Sequence, residues 1–225
     1  MLRYPKGAFQ IWQVIFPMFL TIYYLLALVI ILTVHEFAHA WVANRLGDPT
    51  AERAGRVSLN PLRHLDLLGT LMLFIAGIGW GKPVPINPRN FENPVRDQAL
   101  TALAGPMANL LMAFVAAIPL SYLPETASTI PWLQFSNAIM ELSIVLFLFN
   151  MLPFPPLDGS KFIAILVPKR MRARYLEFLH KAAPYFLVFV ILDIYFSPRI
   201  FGFSLVWFFV STATFWLKAA ILLIV

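Results

Sequence analysis

The sequence predicts an all-α polytopic membrane protein with about five to six transmembrane helices. The first observation is composition: 60% of the 225 residues are hydrophobic, 12% are charged, and the mean hydropathy is +0.76. In soluble domains about a quarter of the residues are charged. The second observation is a series of long apolar runs, separated by short polar or proline-rich stretches. The length suits a single membrane-embedded domain over residues 1–225.

The N-terminal part predicts one long helix and one short apolar segment. Residues Met1–Phe16 are aromatic and amphipathic, so we expect them to lie at the membrane interface or to begin the first span. A helix should run from about Pro17 to Leu46, where the Gly47-Asp48-Pro49 turn ends it. The apolar run Leu67–Trp80 is short and contains three glycines. We therefore expect it to be re-entrant or interfacial rather than spanning.

The middle of the chain predicts an extended loop followed by two spans. Residues Gly81–Pro94 are rich in proline and asparagine, and residues before proline avoid the helical region. Apolar helices are then expected over Arg96–Tyr122 and Trp132–Leu152. Pro153-Phe154-Pro155-Pro156 cannot continue a helix, and a short helix should follow to Val167. These elements complete a core of about residues 17–167.

The C-terminal part contains a basic stretch and two further apolar runs. The basic stretch is Pro168–Lys181, and the apolar runs are about Ala182–Phe196 and Phe203–Val225, which predict additional helices within residues 182–225. The net charge of +6 is the pattern expected from Lys and Arg in cytoplasmic loops, so we expect a lipid bilayer and no nucleic acid as partner. The chain has no cysteine, which excludes disulfides, thiolate catalysis and cysteine-type zinc sites.

A metal-binding pattern lies near the end of the first predicted helix. His35-Glu36-Phe37-Ala38-His39 reads H-E-x-x-H, and residues i and i+4 share one face of a helix. His35 and His39 can therefore bind one zinc ion from consecutive turns, while Glu36 reaches a water beside it as general base. The alternative is a pair of structural histidines. Ionisable residues within an apolar span are costly, which favours a functional site.

A catalytic zinc needs a third protein ligand, and Asp158 is the best candidate. His64, His180 and the other acidic residues are the alternatives. Asp158 follows the proline break at the end of a span, and Gly159 beside it gives the backbone conformational freedom. An N-cap on the short helix is the other interpretation of Asp158.

Several segments together resemble the site-2 protease family of intramembrane zinc metalloproteases. They are H-E-x-x-H at residues 35–39, Gly47-Asp48-Pro49-Thr50-Ala51, Gly55-Arg56, Leu59-Asn60-Pro61, His64 with Asp66, Lys82-Pro83-Val84-Pro85, Gly105-Pro106 with Asn109, and residues 150–159, Asn-Met-Leu-Pro-Phe-Pro-Pro-Leu-Asp-Gly. The likeness covers about residues 33–161 and is closest to short bacterial and archaeal members without PDZ or other appended domains. Leu67 is a departure, because relatives often have proline there.

The resemblance implies one zinc ion per chain, held by His35, His39 and Asp158, with Glu36 as the catalytic base. The substrate would be a transmembrane or membrane-proximal segment of another protein. Asn150 and Asn109 are further candidates, either for contacts with the substrate or an oxyanion or for contacts between helices. Two other functions stay open: a proteolytically silent homologue that sequesters membrane segments, and a membrane transporter with an ion path.

The positions of the predicted ligands also predict a topology. The helix with His35 and the span before Asp158 must run in the same direction, with one crossing between them, so Leu67–Trp80 should not cross. The positive-inside rule then puts the zinc site in the cytoplasmic half of the membrane. We expect this to be a bacterial or archaeal cell membrane. Glu141, in the middle of a span, should face the bundle interior.

Overall fold

The computed structural model describes residues 22–76 and 79–225. The predicted amphipathic segment Met1–Phe16 and the predicted start of the first helix lie outside these residues. The described residues form helices, with one isolated β-bridge between Leu65 and Gly81. In chain order the helices are α1 (Ile22–Arg45), α2 (Thr50–Arg53), α3 (Leu67–Ala76), α4 (Pro94–Tyr122), α5 (Ile130–Asn150), α6 (Asp158–Ile163), α7 (Lys169–Tyr195), α8 (Ser197–Phe201) and α9 (Leu205–Ile224).

The chain is an all-α membrane protein, as its sequence predicts. Within the described residues, five helical stretches are long and apolar enough to span a bilayer: α1, α4, α5, α7 with α8, and α9. A span requires about 20 residues because the hydrocarbon layer is about 30 Å thick.

The centre of the fold is a bundle of α1, α4 and α5 that is packed through small side chains. Ala27 and Ile31 of α1 pack against Ala138 and Leu142 of α5. A second buried cluster joins α4, α5 and α9, and consists of Ala113, Ala116, Ala117, Met140, Ile144 and Ile221. Alanine allows the backbones to approach closely, which is the main source of helix association in lipid.

Hydrogen bonds made by side chains give the relative direction of α1 and α4. His39 of α1 bonds Thr101 of α4, and His35 contacts Asn109, so α1 and α4 are antiparallel. We call the face where α1 ends and α4 begins the near face, and the opposite face the far face. Tyr122 at the far end of α4 donates a hydrogen bond to the carbonyl oxygen of Val225. Val225 therefore lies at the far face.

The segment that contains α3 does not cross the bundle. Leu65, just before α3, forms an antiparallel β-bridge with Gly81, and the Lys82 N–H donates to the His64 carbonyl over 2.7 Å. Residues before and after the segment are therefore neighbours. A helix of 10 residues is about 15 Å long, which is also too short to span. The expectation of a re-entrant or interfacial segment between α1 and the next span is confirmed.

Helix α7 begins earlier than the apolar pattern predicts. The predicted helix covers about residues 182–196, whereas α7 begins at Lys169 and includes the basic stretch. The stretch is rich in Arg, Lys, Leu and Met, which favour helix, and Pro168 immediately precedes it. Hydrophobicity identified the membrane-facing part of this helix but not its polar first turns.

Asp48 ties the turn after α1 to the loop before α4. Its carboxylate accepts hydrogen bonds from the Thr50 hydroxyl, the Asn90 amide (2.6 Å) and the Asn87 N–H (2.7 Å). Burial raises the pKa of Asp48, but these hydrogen bonds outweigh that effect and hold the pKa below its ordinary value. The carboxylate is therefore ionised at neutral pH and positions the extended segment that precedes Asn87.

Candidate metal centre

Three predicted ligands meet in one buried cluster between α1 and α6. The Nε2 atoms of His35 and His39 are 3.0 Å apart, and Oδ2 of Asp158 lies 3.3 Å from the first and 3.1 Å from the second. The residues are 4%, 7% and 7% exposed, respectively. Among the described residues this is the group of histidine and acidic side chains that could hold a metal ion.

Local sequence explains how the three side chains converge. His35 and His39 lie one turn apart on α1, so both rings face the same direction. Helix α5 ends at Asn150, the proline-rich turn reverses the chain, and Asp158 is the first residue of α6. Gly159 makes this return possible, because a Cβ atom there would lie only 2.5 Å from the backbone carbon of Met151.

The donor atoms fit zinc in both chemistry and spacing. Two imidazoles and one carboxylate are a ligand set found in catalytic zinc sites, where a fourth position stays open. Zinc–nitrogen and zinc–oxygen bonds of about 2.0–2.1 Å place neighbouring ligands of a tetrahedron about 3.3–3.4 Å apart. The separations of 3.0–3.3 Å in the cluster are close to this value.

Each of the three side chains also has a second partner. The Nδ1–H of His39 donates to the carbonyl oxygen of Thr101 over 2.7 Å. The side-chain nitrogen Nδ2 of Asn109 lies 3.0 Å from Nδ1 of His35. The free carboxylate oxygen of Asp158 accepts from Lys161, 3.2 Å away. Such outer contacts fix the orientation of metal ligands.

Glu36 lies beside the cluster but outside it. It is half-buried, and its carboxylate faces Gly81, where a Cβ atom would lie 3.6 Å from Oε1 of Glu36. Burial lowers the pKa of Arg56, and the negative charge of Glu36 opposes this shift. Glu36 is therefore a carboxylate next to the ligands, with a buried guanidinium nearby.

Arg56 also holds the extended segment that passes Glu36. Its guanidinium donates to the carbonyl oxygen of Pro83 over 3.0 Å and to that of Lys82. His64 is buried and donates from Nε2 to the carbonyl of Ser58 over 2.6 Å, so it supports this loop and is not part of the cluster. The result is a fixed stretch of extended backbone along one side of the centre.

The structure places the two candidate asparagines differently. Asn109 is fully buried and touches His35, whereas the Asn150 amide donates to the Leu146 carbonyl of its own helix over 3.0 Å. Sequence inspection missed Thr101 and Lys161 as neighbours of the ligands. The spacing of Thr101, Gly105 and Asn109, four residues apart each, was the available signal, since it defines one face of a helix.

Glu141 belongs to a separate polar cluster in the far half of the bundle. It bonds the Tyr24 hydroxyl (2.7 Å) and Lys218 (2.5 Å), and Lys218 also donates to Asn137 (2.7 Å). The carboxylate thus faces the bundle interior and is paired with a cation. The ion pair joins α5 to α9, and the hydrogen bond from Tyr24 adds α1.

Comparison with known proteins gives three informative relatives. The chain is 41% identical over 186 residues to a Bacillus subtilis protein named "Putative zinc metalloprotease YwhC". The aligned residues cover 79% of this chain and 82% of the relative. Rip2 of Mycobacterium tuberculosis, named in the same way, is 31% identical over 182 residues, 79% of this chain and 66% of the relative. MJ0611 of Methanocaldococcus jannaschii, also so named, is 32% identical over 129 residues, 56% of this chain and 61% of the relative. No family model matches the chain, and no solved structure matches it significantly.

Proposed function

The chain belongs to the site-2 protease family of zinc metalloproteases, and we propose that it cleaves peptide bonds in transmembrane or membrane-proximal segments of other membrane proteins. The observation that carries this proposal is the buried His35, His39 and Asp158 cluster, which is built from helices of a membrane bundle. A cleavage site at this depth is reached most directly by a segment that is itself in the membrane.

We assign His35, His39 and Asp158 as the zinc ligands. A zinc ion held by these residues would polarise the scissile carbonyl of the substrate and would lower the pKa of a bound water toward about 7. The protein's contribution is to present two neutral imidazole nitrogens and one carboxylate oxygen at fixed positions. Burial of the three residues keeps bulk water from competing for the ligands.

Glu36 is assigned as the general base. It is next to His35 in sequence but is not one of the three converging side chains, so its carboxylate is free to accept a proton from the attacking water. It then delivers that proton to the leaving amine. Glu36 is only half-buried, so part of the residue is accessible.

The segment from Gly81 to Ile86 is proposed to align the substrate. It is extended, it is held by Arg56, and it passes the carboxylate of Glu36. A substrate helix must unwind before its carbonyl groups become accessible, and an extended backbone can pair with an unwound segment as an added strand. Asn150 stays a candidate for a contact with the substrate or an oxyanion.

The near face is proposed to be cytoplasmic. Exposed basic residues lie on this side, in the segment between α1 and α3 and at the start of α7: Arg53, Arg63, Lys169, Arg170 and Arg174. The loop of residues 123–129 at the far face contains Glu125 and no lysine or arginine. The positive-inside rule then places the metal centre in the cytoplasmic half of the membrane.

The test distinguishes the role of Glu36 as general base from the role of the three zinc ligands. Glu36→Gln keeps the side-chain shape and removes the proton acceptor, so purified protein should retain zinc while cleavage of a model transmembrane substrate falls by about 10²–10⁴-fold. His39→Ala should lose zinc as well as cleavage. Near-normal cleavage by Glu36→Gln would refute the assigned mechanism. A wild type that binds zinc and substrate but does not cleave would favour a sequestering homologue.

A further inference from the structure

One face of α4 contacts both histidines of the metal centre without supplying a ligand. Thr101, Gly105 and Asn109 lie four residues apart on this helix. Thr101 contacts His39 through its carbonyl oxygen and Asn109 contacts His35 through its amide. Gly105, between them, lies so close that a Cβ atom would be 2.7 Å from Cε1 of His35 and 2.6 Å from Cε1 of His39.

From this arrangement, and resting on the proposed zinc site, we infer that this face of α4 fixes the proton on Nδ1 of both histidines. A carbonyl oxygen can only accept, so the 2.7 Å contact with Thr101 requires a proton on Nδ1 of His39. In a neutral imidazole, Nε2 then carries the free electron pair. That is the atom of His39 that faces Asp158 and His35.

The same logic assigns the orientation of the Asn109 amide. His35 also offers Nε2 to the cluster, so its Nδ1 carries the proton and must face an acceptor. The structure has Nδ2 of Asn109 3.0 Å from Nδ1 of His35 and leaves the buried Oδ1 of Asn109 without a hydrogen-bond partner. A half-turn of the amide exchanges the two atoms, so that the oxygen accepts from the Nδ1–H of His35. Asn109 is therefore a positioning residue for His35 rather than a substrate or oxyanion contact.

The test measures zinc affinity of the purified full chain in detergent, by competition with a chelator. Asn109→Leu has similar volume but cannot accept a hydrogen bond, and we expect zinc binding to weaken by about 10–100-fold. Asn109→Asp retains an acceptor for His35 Nδ1–H, so its zinc affinity should equal or exceed that of the wild type. Asn137→Leu, the same change in the separate Lys218 cluster, is the matched control and should bind zinc normally.

Two results would overturn this inference. Wild-type zinc affinity in Asn109→Leu would show that the amide does not position His35, even if the variant unfolds more easily. An equal loss in the Leu and Asp variants would show that packing, not hydrogen-bond acceptance, is what matters. Zinc affinity does not depend on proteolysis, so a wild type that binds zinc without cleaving substrate would refute the proposed function and leave this result intact.

A different set of contacts concerns the course of α7 relative to the bundle. Near its start, the Tyr175 hydroxyl donates to the carbonyl of Ser160, two residues from the proposed ligand Asp158. Further along, the ring of Phe186 packs on Phe154, with ring centroids 5.8 Å apart. Near its end, Asp193 accepts a hydrogen bond from the Leu205 N–H at the start of α9.

All three contact points lie toward the near face. Ser160 and Phe154 flank Asp158, at the depth of the metal centre. Helix α9 runs from Leu205 to the far face, where Val225 meets Tyr122, so its first residues lie on the near side. The 27 residues of α7 correspond to about 40 Å, yet both ends of the helix stay on one side of the bundle.

We infer that α7 is embedded in the leaflet that surrounds the metal centre and does not cross the membrane. Its basic first turns then lie among the lipid headgroups of that leaflet, and its apolar remainder among the acyl chains. This placement holds for either orientation of the protein in the membrane. It predicts that Arg199, after α7, is on the same side as Arg53, and that Val225 is on the opposite side.

Accessibility labelling tests this directly, because the chain has no cysteine of its own. Arg53→Cys and Ser128→Cys serve as exposed markers of the near and far faces. Val225→Cys should label from the same side as Ser128→Cys, and Arg199→Cys from the same side as Arg53→Cys. If α7 crosses, Arg199→Cys labels with the far marker and Val225→Cys with the near marker. Either of those results would overturn the inference.

Discussion

Gly105→Ala is expected to disable the metal centre although it adds only one methyl group. The new carbon would lie 2.6–2.7 Å from the Cε1 atoms of His35 and His39. Nonbonded carbon atoms prefer about 3.5–4.0 Å, so α4 and α1 must separate by about 1 Å. A metal site tolerates displacements of its ligand side chains of only about 0.5 Å. We therefore expect zinc affinity to fall by about 100-fold or more, which exceeds the usual effect of losing one outer contact.

Gly105→Ala should not stabilise the protein, unlike the same change at an unobstructed position of a helix. In an unobstructed helix, replacing glycine by alanine stabilises by about 1 kcal/mol. Overpacking a tight interface costs about 1–3 kcal/mol, so the net result here is no change or a loss of up to about 2 kcal/mol. Unfolding of the zinc-free protein in detergent measures this quantity, and competition with a chelator measures zinc affinity.

Met107→Ala is the matched control, because Met107 lies two residues away on α4 and is 46% exposed. It should leave zinc affinity unchanged. The reasoning is refuted if Gly105→Ala stabilises the protein by about 1 kcal/mol and binds zinc as tightly as the wild type. In that case α4 would not approach the histidines as closely as described.

Three further predictions follow from other contacts. Lys218→Met leaves the Glu141 carboxylate, which is 27% exposed, without its cation. We expect the free energy of unfolding to fall by about 1–3 kcal/mol. Adding Glu141→Gln to this variant should recover part of the loss if the two residues are coupled. Asp48→Asn should lower the free energy of unfolding at neutral pH. Because the pKa of Asp48 is lowered in the folded protein, the difference in stability between wild type and variant should shrink as the pH falls below about 4. A difference that stays constant with pH would contradict this. Added zinc should raise the unfolding temperature of the wild type but not of Asp158→Ala, and equal shifts would exclude Asp158 as a ligand.

The features that the sequence predicts best are those set by local helix geometry or by the chemistry that the site requires. His35 and His39 are four residues apart, so their common face follows from helix geometry alone. Asp158 was predicted because three ligands are needed and a proline break precedes it, although it lies more than a hundred residues away in the chain. In both cases the chemistry of the site restricts the choice of residues.

The parts that sequence inspection did not predict depend on which helix packs against which. Thr101 acts through its backbone carbonyl, which every residue possesses, so residue type carries no information about this contact. Gly105 and Asn109 were visible in the resemblance, but their relation to the histidines requires the antiparallel packing of α1 and α4. The course of α7 is similar, since its length and hydropathy are those of a spanning helix and only its contacts show where both ends lie.

The electrostatics of the cluster explain why these partners matter together. With both Nδ1 protons directed to α4, the two Nε2 atoms present electron pairs to each other and to the carboxylate of Asp158, at separations of 3.0–3.3 Å. Three such donors repel one another in a buried site unless a cation lies among them. A proton joins only one pair of donors at a time, whereas a divalent ion attracts all three. The hydrogen bonds from α1 to α4 therefore do more than orient the rings. By holding the protons on the outer nitrogens, they leave only electron-pair donors facing the centre, and a zinc ion there stabilises all three.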